Sequence, residues 1–584
     1  MNDIGRGTAS PTAALADAAR YWAPLARAAL RTVPVRRTPA TVAALRHGVG
    51  LATLLALSAA RHPDRAAVID DEGAVSAEQL QRTVIRLAAA LRDDYGVGPG
   101  SKVAVLCRNH RGFVAGLLAG ARLSADLVPM NYDFSGPQLR GVIERDGIDV
   151  LIYDAEFHQR VEHAGFTGVR VIAKHDGLPP VSTVSGQPVP AIDELVARTR
   201  RAVVRPARGS QLVILTSGST GTPKGALRRM GIRELRDKAA YLHPRLLMLA
   251  AEAPRLARLR AVPVPGRPMV LAPPMHHVMG MLGLVTGLAT TSPLIMTTRF
   301  APEWVLSSIE KHRATAAFLV PTMIKRIMDL PVDVRTGYDT TTLVSVPSGA
   351  MPLPPHLGTE FMNAYGDILF NAYASTEIGP CTVALPEDLR AAPGTVGRPI
   401  RGLVRLRLLD DSGAPVPAEV TGRIFNRNPF QFSGYSGGGG KEVIDSFMST
   451  GDVGHFDSAG RLFIDGRDDE MIVSGGENVF PQEVEETLLT HPAIAEAAVW
   501  GVPDPDFGQR LAAFIIRKPG AELTPDDIRA HVKRNLARYK VPRDVHFVAE
   551  LPRTTTGKLK HKALTELAES LGSGEQSSVR PTTN

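Results

Sequence analysis

The stretch "TSGSTGTPKG", residues 216–225, holds three glycines, two serines, three threonines, a proline and a lysine in ten positions. Glycines let backbone N–H groups turn toward an anion, and hydroxyls add further donors. Lys224 supplies a mobile point charge at the end of the stretch. The chemistry these residues suit is phosphate binding. A Walker A loop would need its lysine preceded by glycine and followed by serine or threonine; here Pro223 and Gly225 flank it, which excludes that reading.

Other stretches carry hard oxygens and cations. Glu377, beside the hydroxyl of Thr376, can offer a carboxylate oxygen to a divalent cation. Asp452 lies in "STGD" and can accept two hydrogen bonds, and Tyr373 offers a flat ring for stacking. Lys558 sits in a second threonine- and glycine-flanked loop, "PRTTTGKLKH" (552–561).

Elements must position these groups. Short apolar runs, "KVAVLC" (102–107), "VLIYD" (150–154), "LVILT" (212–216), "MVLAP" (269–273) and "DILFNAY" (367–373), alternate with helical stretches such as "SAEQLQRTVIRLAAALRD". That alternation predicts α/β layers with buried strands, the phosphate-type loop leaving the end of one of them. The charge-free run Val278–Thr298 contains Gly280, Gly283, Gly287 and Pro293, so it reads as helix, turn and strand rather than a membrane span.

Composition bounds the rest. A chain of 584 residues with 44% hydrophobic and 22% charged residues has an ordinary globular make-up and room for more than one core. The formal charge of +8 suits small anions or a membrane surface, and no nucleic-acid partner is expected. Two cysteines, Cys107 and Cys381, make no disulfide framework, and with no signal-peptide core the expected compartment is the cytoplasm. Residues 1–50 form a basic extension with seven arginines and two aspartates, for which peripheral membrane contact is one reading and packing on its own domain another. Residues 228–267 carry ten Lys/Arg against three acids, read as a solvated face or as steering for anionic phosphates.

Taken in order, seven segments resemble the signature motifs of the adenylate-forming enzymes, the superfamily of acyl-CoA synthetases, luciferases and peptide-synthetase adenylation domains. They are "TSGSTGTPKG", "PPMHHVMG" (273–280), "SGAMP" (348–352), "YASTE" (373–377), "STGD" (449–452), "GRDDEMIVSGGENVFPQEVE" (466–485) and "PRTTTGKLKH". The resemblance spans roughly Leu51 to Leu567. It implies an α/β fold: a large N-terminal AMP- and acid-binding domain of layered α/β subdomains (51–465) and a small mobile α+β C-terminal domain (466–570), with a tail at 571–584 expected to be disordered.

The resemblance also implies roles. Thr216, Ser217, Gly218, Ser219, Thr220, Gly221 and Lys224 would cradle ATP phosphates; Gly349, Ala350 and Tyr373 would hold adenine; Asp452 and Arg467 would reach ribose and nucleotide. Glu377 would bind Mg²⁺ with Thr376 beside it, and Lys558 would bridge the substrate carboxylate and the α-phosphate. His277, or His276 immediately before it, would border the acid pocket together with Gly349. Gly475 and Gly476 would pass the pantetheine arm of coenzyme A, and Asp469, or Asp468, would be the hinge. The sequence departs from the family at "VSAEQL" (75–80), which lacks the usual aromatic, and in the three acids of "GRDDEMI".

With no carrier-protein segment after Leu567, the expected reaction is activation of an acid by ATP through an acyl-AMP to the coenzyme A thioester. A medium- or long-chain fatty acid is the expected substrate, since the apolar run "VMGMLGLVTGL" suggests a tunnel wall and "GGENVFPQEVE" is similar to bacterial fatty acyl-CoA ligases, and to aryl ones also. An aryl acid is the alternative, and a non-catalytic relative or a luciferase-like oxygenase are further ones. A homodimer remains open.

Overall fold

The computed structural model describes residues 44, 50–199, 202, 209–216, 223–231, 263–468, 472–474, 477–504, 508–553 and 559–572. The chain divides into two compact units: one takes in residues up to 393, 397–406 and 426–448, the other 394–396, 407–425 and 449–584.

The first unit is built on three sheets. In the largest, strands run in the order Val169–Lys174, Val150–Asp154, Lys102–Leu106, Asp126–Pro129, Gly209–Thr216 (β1) and Lys224–Gly231 (β2). The first five are parallel and β2 returns antiparallel to β1. The apolar runs behave as the parallel reading requires: Val150–Asp154 is buried at every position, as expected where both faces of a sheet are covered. Ala77–Tyr95 (α1) packs against Arg111–Arg122 (α2), and α2 packs on the strands of this sheet. The departure at "VSAEQL" has a local function: Ser76 caps α1 by accepting from the Gln79 N–H, and Gln79 reaches back to the Ser76 N–H.

The second sheet runs Ala316–Phe318, Met269–Leu271, Leu294–Ile295, Ala66–Asp70, Gly73–Ser76, parallel except for the last strand. The run beginning at Val278 is a 13-residue helix, Val278–Thr290 (α3), followed by a turn and the Leu294–Ile295 strand, as its glycines and proline predicted. Among the described residues, no helix is long and apolar enough to cross a membrane. The glycines of α3 have a packing reason: a Cβ at Gly283 would lie 2.3 Å from Leu271, and one at Gly287 2.5 Å from Leu294, so the helix is pressed onto the sheet.

The third sheet places Val346–Gly349 (β3) parallel to Leu369–Ser375 (β4), which pairs antiparallel with Gly379–Ala384 (β5) and through it with Arg398–Pro399. Residues Thr376–Ile378 turn between β4 and β5, and Gly379 at φ +81° closes that turn in a conformation glycine adopts without steric cost.

The strand Phe447–Phe456 (β6), which lies in the second unit from Ser449 onward, pairs antiparallel with Leu462–Arg467 (β7). A further sheet runs Glu477–Val479, Ile472–Ser474, Gly508–Arg517, Ile494–Asp504, with Asp544–Phe547 parallel on the Gly508–Arg517 strand. Helices Pro481–Leu489 and Pro525–Asn535 cover it, with a core of Val484, Leu488, Ile515, Ile528 and Val532. The α/β architecture with a small α+β unit is the expected fold class.

Candidate functional site

The phosphate-type loop joins the paired ends of two strands, since Thr216 and Lys224 are the last register partners of β1 and β2. This differs from a loop that opens a helix, and it places Lys224 as the first residue of an outgoing strand, with its side chain exposed. Ser217, Gly218, Ser219, Thr220 and Gly221 lie outside the described residues, as do Asp469, Gly475, Gly476 and Lys558. The basic extension 1–50, apart from residues 44 and 50, and most of the basic stretch 228–267 lie outside them too.

A second segment is drawn to the lysine strand. Leu227 N–H donates to the Gly434 carbonyl at 3.0 Å, and Ser433 N–H and Ser436 N–H donate to Leu227 and Gly225 carbonyls at 2.8 Å each. A Cβ at Gly225 would meet the Ser436 Oγ at 2.6 Å and a Val213 methyl at 2.7 Å, so this lacing favours glycine after Lys224. The segment delivers Tyr435, whose ring centroid lies 5.5 Å from the Lys224 Nζ, a cation–π distance.

Glu377 enters from the third sheet. Its half-buried carboxylate accepts from the Tyr435 hydroxyl at 3.0 Å through Oε1 and from the Ser375 hydroxyl at 3.3 Å through Oε2. Its carbonyl accepts from Phe432 N–H at 2.8 Å. The turn is also held from below by Arg228 of β2, which donates to the carbonyls of Thr376, at 2.6 Å, and Phe430. Burial pulls the Arg228 guanidinium down to about 10, opposed by the Glu377 charge, so it remains a cation at neutral pH. Behind the turn, Asn428 donates to the Ile378 and Pro380 carbonyls and accepts from Phe430 N–H. Tyr435, Arg228 and Asn428 were not singled out in the sequence.

Lys224 and Glu377 are therefore joined through Tyr435, with Thr376 beside Glu377 in the turn that follows β4 and Tyr373 on β4 itself. The Lys224 cation suits an anion, and the hard oxygens of Ser375, Thr376 and Glu377 within three positions are the donor type magnesium takes. Gly349 and Ala350 are adjacent in space, Gly349 being the register partner of Ala372 on β4. Ala350 has φ +73°, a left-handed conformation costly for a residue with a Cβ, and leaves β3 exposed to solvent.

His277 is the N-cap residue of α3, and its ring centroid lies 4.2 Å from that of His276. The turn before them is pinned by the buried Asn109, which donates to the Pro273 carbonyl and accepts from Met275 N–H. His276 is buried, with its ring edge-on to Tyr132 at 4.9 Å, and neither ring nitrogen has a hydrogen-bond partner among the described residues. Burial and the neighbouring His277 push its protonation well below the usual histidine range. From the same helix, the Met279 Sδ lies 3.5 Å from where a Gly349 Cβ would be, so the histidine segment and "SGAMP" converge.

The second unit brings another expected pair together. Asp452, nearly buried on β6, is the register partner of Arg467 on β7, and the Arg467 guanidinium lies 3.3 Å from the Asp452 carboxylate. Asp468, one of the two hinge candidates, is tied by Arg423 at 3.1 Å and by its own N–H to the Gly451 carbonyl at 3.0 Å.

A separate buried cluster, Cys107, His110 and Asp154, has metal-ligand types in reach of one another. His110 is fully engaged, however: Nδ1 accepts from Gly112 N–H at 3.0 Å at the start of α2, and Nε2 donates to Asp154 at 2.8 Å. The cluster is accounted for as a helix cap.

Comparison with known proteins shows the family of the chain. The AMP-binding enzyme family matches residues 55–436, and the AMP-binding enzyme C-terminal domain matches residues 483–558. An indoleacetate–CoA ligase of Aromatoleum aromaticum is 31% identical, over 86% of this chain and 95% of that protein. A feruloyl-CoA synthase of an Amycolatopsis species is 31% identical, over 85% of this chain and 94% of that protein. The crystal structure of an anthranilate CoA ligase in complex with anthranoyl-AMP superposes with a TM-score of 0.75 at 24% identity, over 90% of this chain and 98% of that one, a likeness of fold. With both domains matched, the chain belongs to the AMP-binding enzymes of the adenylate-forming superfamily.

Proposed function

We propose that the chain is an AMP-forming acid–CoA ligase. In the first half-reaction the carboxylate of the acid attacks the α-phosphorus of ATP, the bond to the β-phosphate oxygen breaks, and pyrophosphate leaves. In the second, the coenzyme A thiol attacks the acyl carbon, loses its proton, and AMP leaves. The observation that carries the reading is the meeting of Lys224 and Glu377 on Tyr435, which sets a cation and a carboxylate against one side chain.

Negative charge builds on phosphoryl oxygens during adenylation, so preorganised cations dominate the rate. Lys224 and the loop before it hold phosphates, Tyr373 faces adenine, and Asp452 with Arg467 takes the ribose. Lys558 meets the carboxylate and the α-phosphate. Magnesium, when bound, supplies charge neutralisation of the phosphate oxygens, and Glu377, with Thr376 beside it, is the group that would hold it. Gly475 and Gly476 pass the pantetheine arm, and Asp469 is the hinge.

For the acid, we infer a ring-bearing carboxylic acid. Two relatives at 31% identity over nearly their whole length are named for indoleacetate and ferulate, which supports an aryl substrate. The apolar run that suggested a fatty acid has another explanation: Met279, Met281, Leu284 and Leu288 of α3 are buried in the main core.

The test is pyrophosphate release with a panel of aryl, arylacetic and straight-chain acids, with and without coenzyme A. Turnover of aryl acids with matching thioester formation is the expected result. Preference for long straight-chain acids would restore the fatty-acid reading, and release without thioester would sink the ligase.

A further inference from the structure

We propose that Tyr435 is a positioning residue for the Glu377 carboxylate, holding Oε1 so that the same group presents a fixed face to a divalent cation. The inference rests on the reading of Glu377 as the metal-facing carboxylate.

A glutamate has three rotatable torsions, and an exposed one would sample many directions at an entropic cost on binding. Here each carboxylate oxygen already has one protein donor, Tyr435 Oη on Oε1 and Ser375 Oγ on Oε2. An ionised carboxylate has about four acceptor sites, so lone pairs remain on both oxygens. The donors are also neutral. A phenol fixes the carboxylate without cancelling its charge, whereas a guanidinium in the same place would compete with the metal. Arg228 is close enough to feel the Glu377 charge, yet its Nη1 and Nη2 donate to the main-chain carbonyls of Phe430 and Thr376 instead.

Tyr435 is itself well placed to act. It lies 58 residues beyond Glu377 and is held from both sides, by main-chain bonds from Gly434 and Ser436 to β2 and by Phe432 N–H to the Glu377 carbonyl. Its ring packs edge-on to Phe432 at 4.9 Å. The same ring faces Lys224. One side chain thus ties the register of the phosphate-binding strand to the direction of the carboxylate. Groups that orient a metal-binding side chain through a hydrogen bond typically contribute about 10–100-fold to metal affinity.

Manganese, a paramagnetic substitute, is titrated into the full chain with a non-hydrolysable ATP analogue, and free Mn²⁺ is read by electron paramagnetic resonance. The proteins are the wild type, Tyr435→Phe, Glu377→Gln and the double variant. Tyr435→Phe deletes one oxygen and keeps the ring against Phe432, and its thermal midpoint reports folding. The expected result is Mn²⁺ affinity about 10–100-fold weaker in Tyr435→Phe, with metal-free binding of the analogue unchanged. In the Glu377→Gln background, Tyr435→Phe should add nothing further, because its effect passes through that carboxylate. Wild-type Mn²⁺ affinity in Tyr435→Phe, or an equal loss in both backgrounds, overturns the positioning role while leaving Glu377 in place. Wild-type affinity in Glu377→Gln overturns the reading of Glu377, and this inference with it.

Discussion

The guanidinium of Arg228 donates to the Thr376 carbonyl at 2.6 Å, linking the strand that begins at Lys224 to the turn that carries Glu377. The two residues are 148 positions apart, and the same guanidinium also holds the Phe430 carbonyl. Arg228→Met would leave both carbonyls short of a donor in a largely buried setting. An unsatisfied buried polar group costs about 1–3 kcal/mol. Denaturant unfolding should therefore show a loss on that scale or larger, with a parallel fall in pyrophosphate release. Arg228→Lys keeps the charge but lacks the planar fork, and should fall between the two. A lysine variant matching the wild type in both measurements would mean the fork geometry is irrelevant.

His276 offers a pH-dependent test. Its protonation is pushed well below the usual histidine range by burial first and by His277 second. The folded state therefore binds fewer protons than the unfolded state once pH falls to about 6.5 and below. Stability that is present above that pH is lost as the solution is acidified. His276→Phe removes the titrating group and two unpartnered nitrogens while retaining a ring against Tyr132. Its thermal midpoint should exceed that of the wild type by more at pH 5.5 than at pH 8. An equal difference at both pH values would show that His276 does not contribute to the acid sensitivity.

Gly349 was expected to border the acid pocket, so that enlarging it would alter the acids accepted. The structure adds a nearer consequence. A Cβ at that position would lie 2.5 Å from the Ala372 carbonyl oxygen, a backbone atom of the neighbouring strand. Gly349→Ala should force β3 and β4 apart at a cost of about 1–3 kcal/mol, the range for overpacking. Activity should then fall on all acids together. The measurement is a thermal midpoint beside kcat/KM for a small and a large acid. A change in the ratio of those two values at an unaltered midpoint would put the acid against Gly349 after all.

The parts of this site that could be read in the sequence are those whose chemistry is local. "LVILT" runs buried into a loop, and the loop ends on a lysine, because strand, turn and charge are each set by near neighbours. The α3 segment could be placed as helix, turn and strand because its glycines and Pro293 punctuate a short run. Tyr435 stayed hidden in "GYSGGGG", which reads as a flexible loop until its main chain is seen bonded to Gly225 and Leu227, more than 200 positions away. Arg228 reads as one of ten basic residues in a solvated stretch, and only the Thr376 and Phe430 carbonyls set it apart. The apolar side of α3 does not decide the acid, since a run of methionines and leucines reads alike whether it faces a ligand or a core.

The last prediction separates the two half-reactions. Lys558 comes from the resemblance of "PRTTTGKLKH" to the C-terminal lysine motif, and its proposed task is confined to adenylation. There the reacting carboxylate and the α-phosphate are both anionic, and a cation between them lowers the barrier most where charge is greatest, in the transition state. Lys558→Ala should slow pyrophosphate release by about 10²–10³-fold, the scale for losing one charge-stabilising partner. Thioester formation from supplied acyl-AMP and coenzyme A has no such anionic pair to hold and should be much less affected. Asp469→Pro probes the other side of the same division. Proline at the proposed hinge fixes φ and removes a donor, so single-turnover pyrophosphate release should persist while acyl-CoA output collapses. Both variants are read with the same two assays. Equal damage to both half-reactions in Lys558→Ala would remove the lysine from its adenylating role, and normal acyl-CoA production by Asp469→Pro would remove the hinge from residue 469.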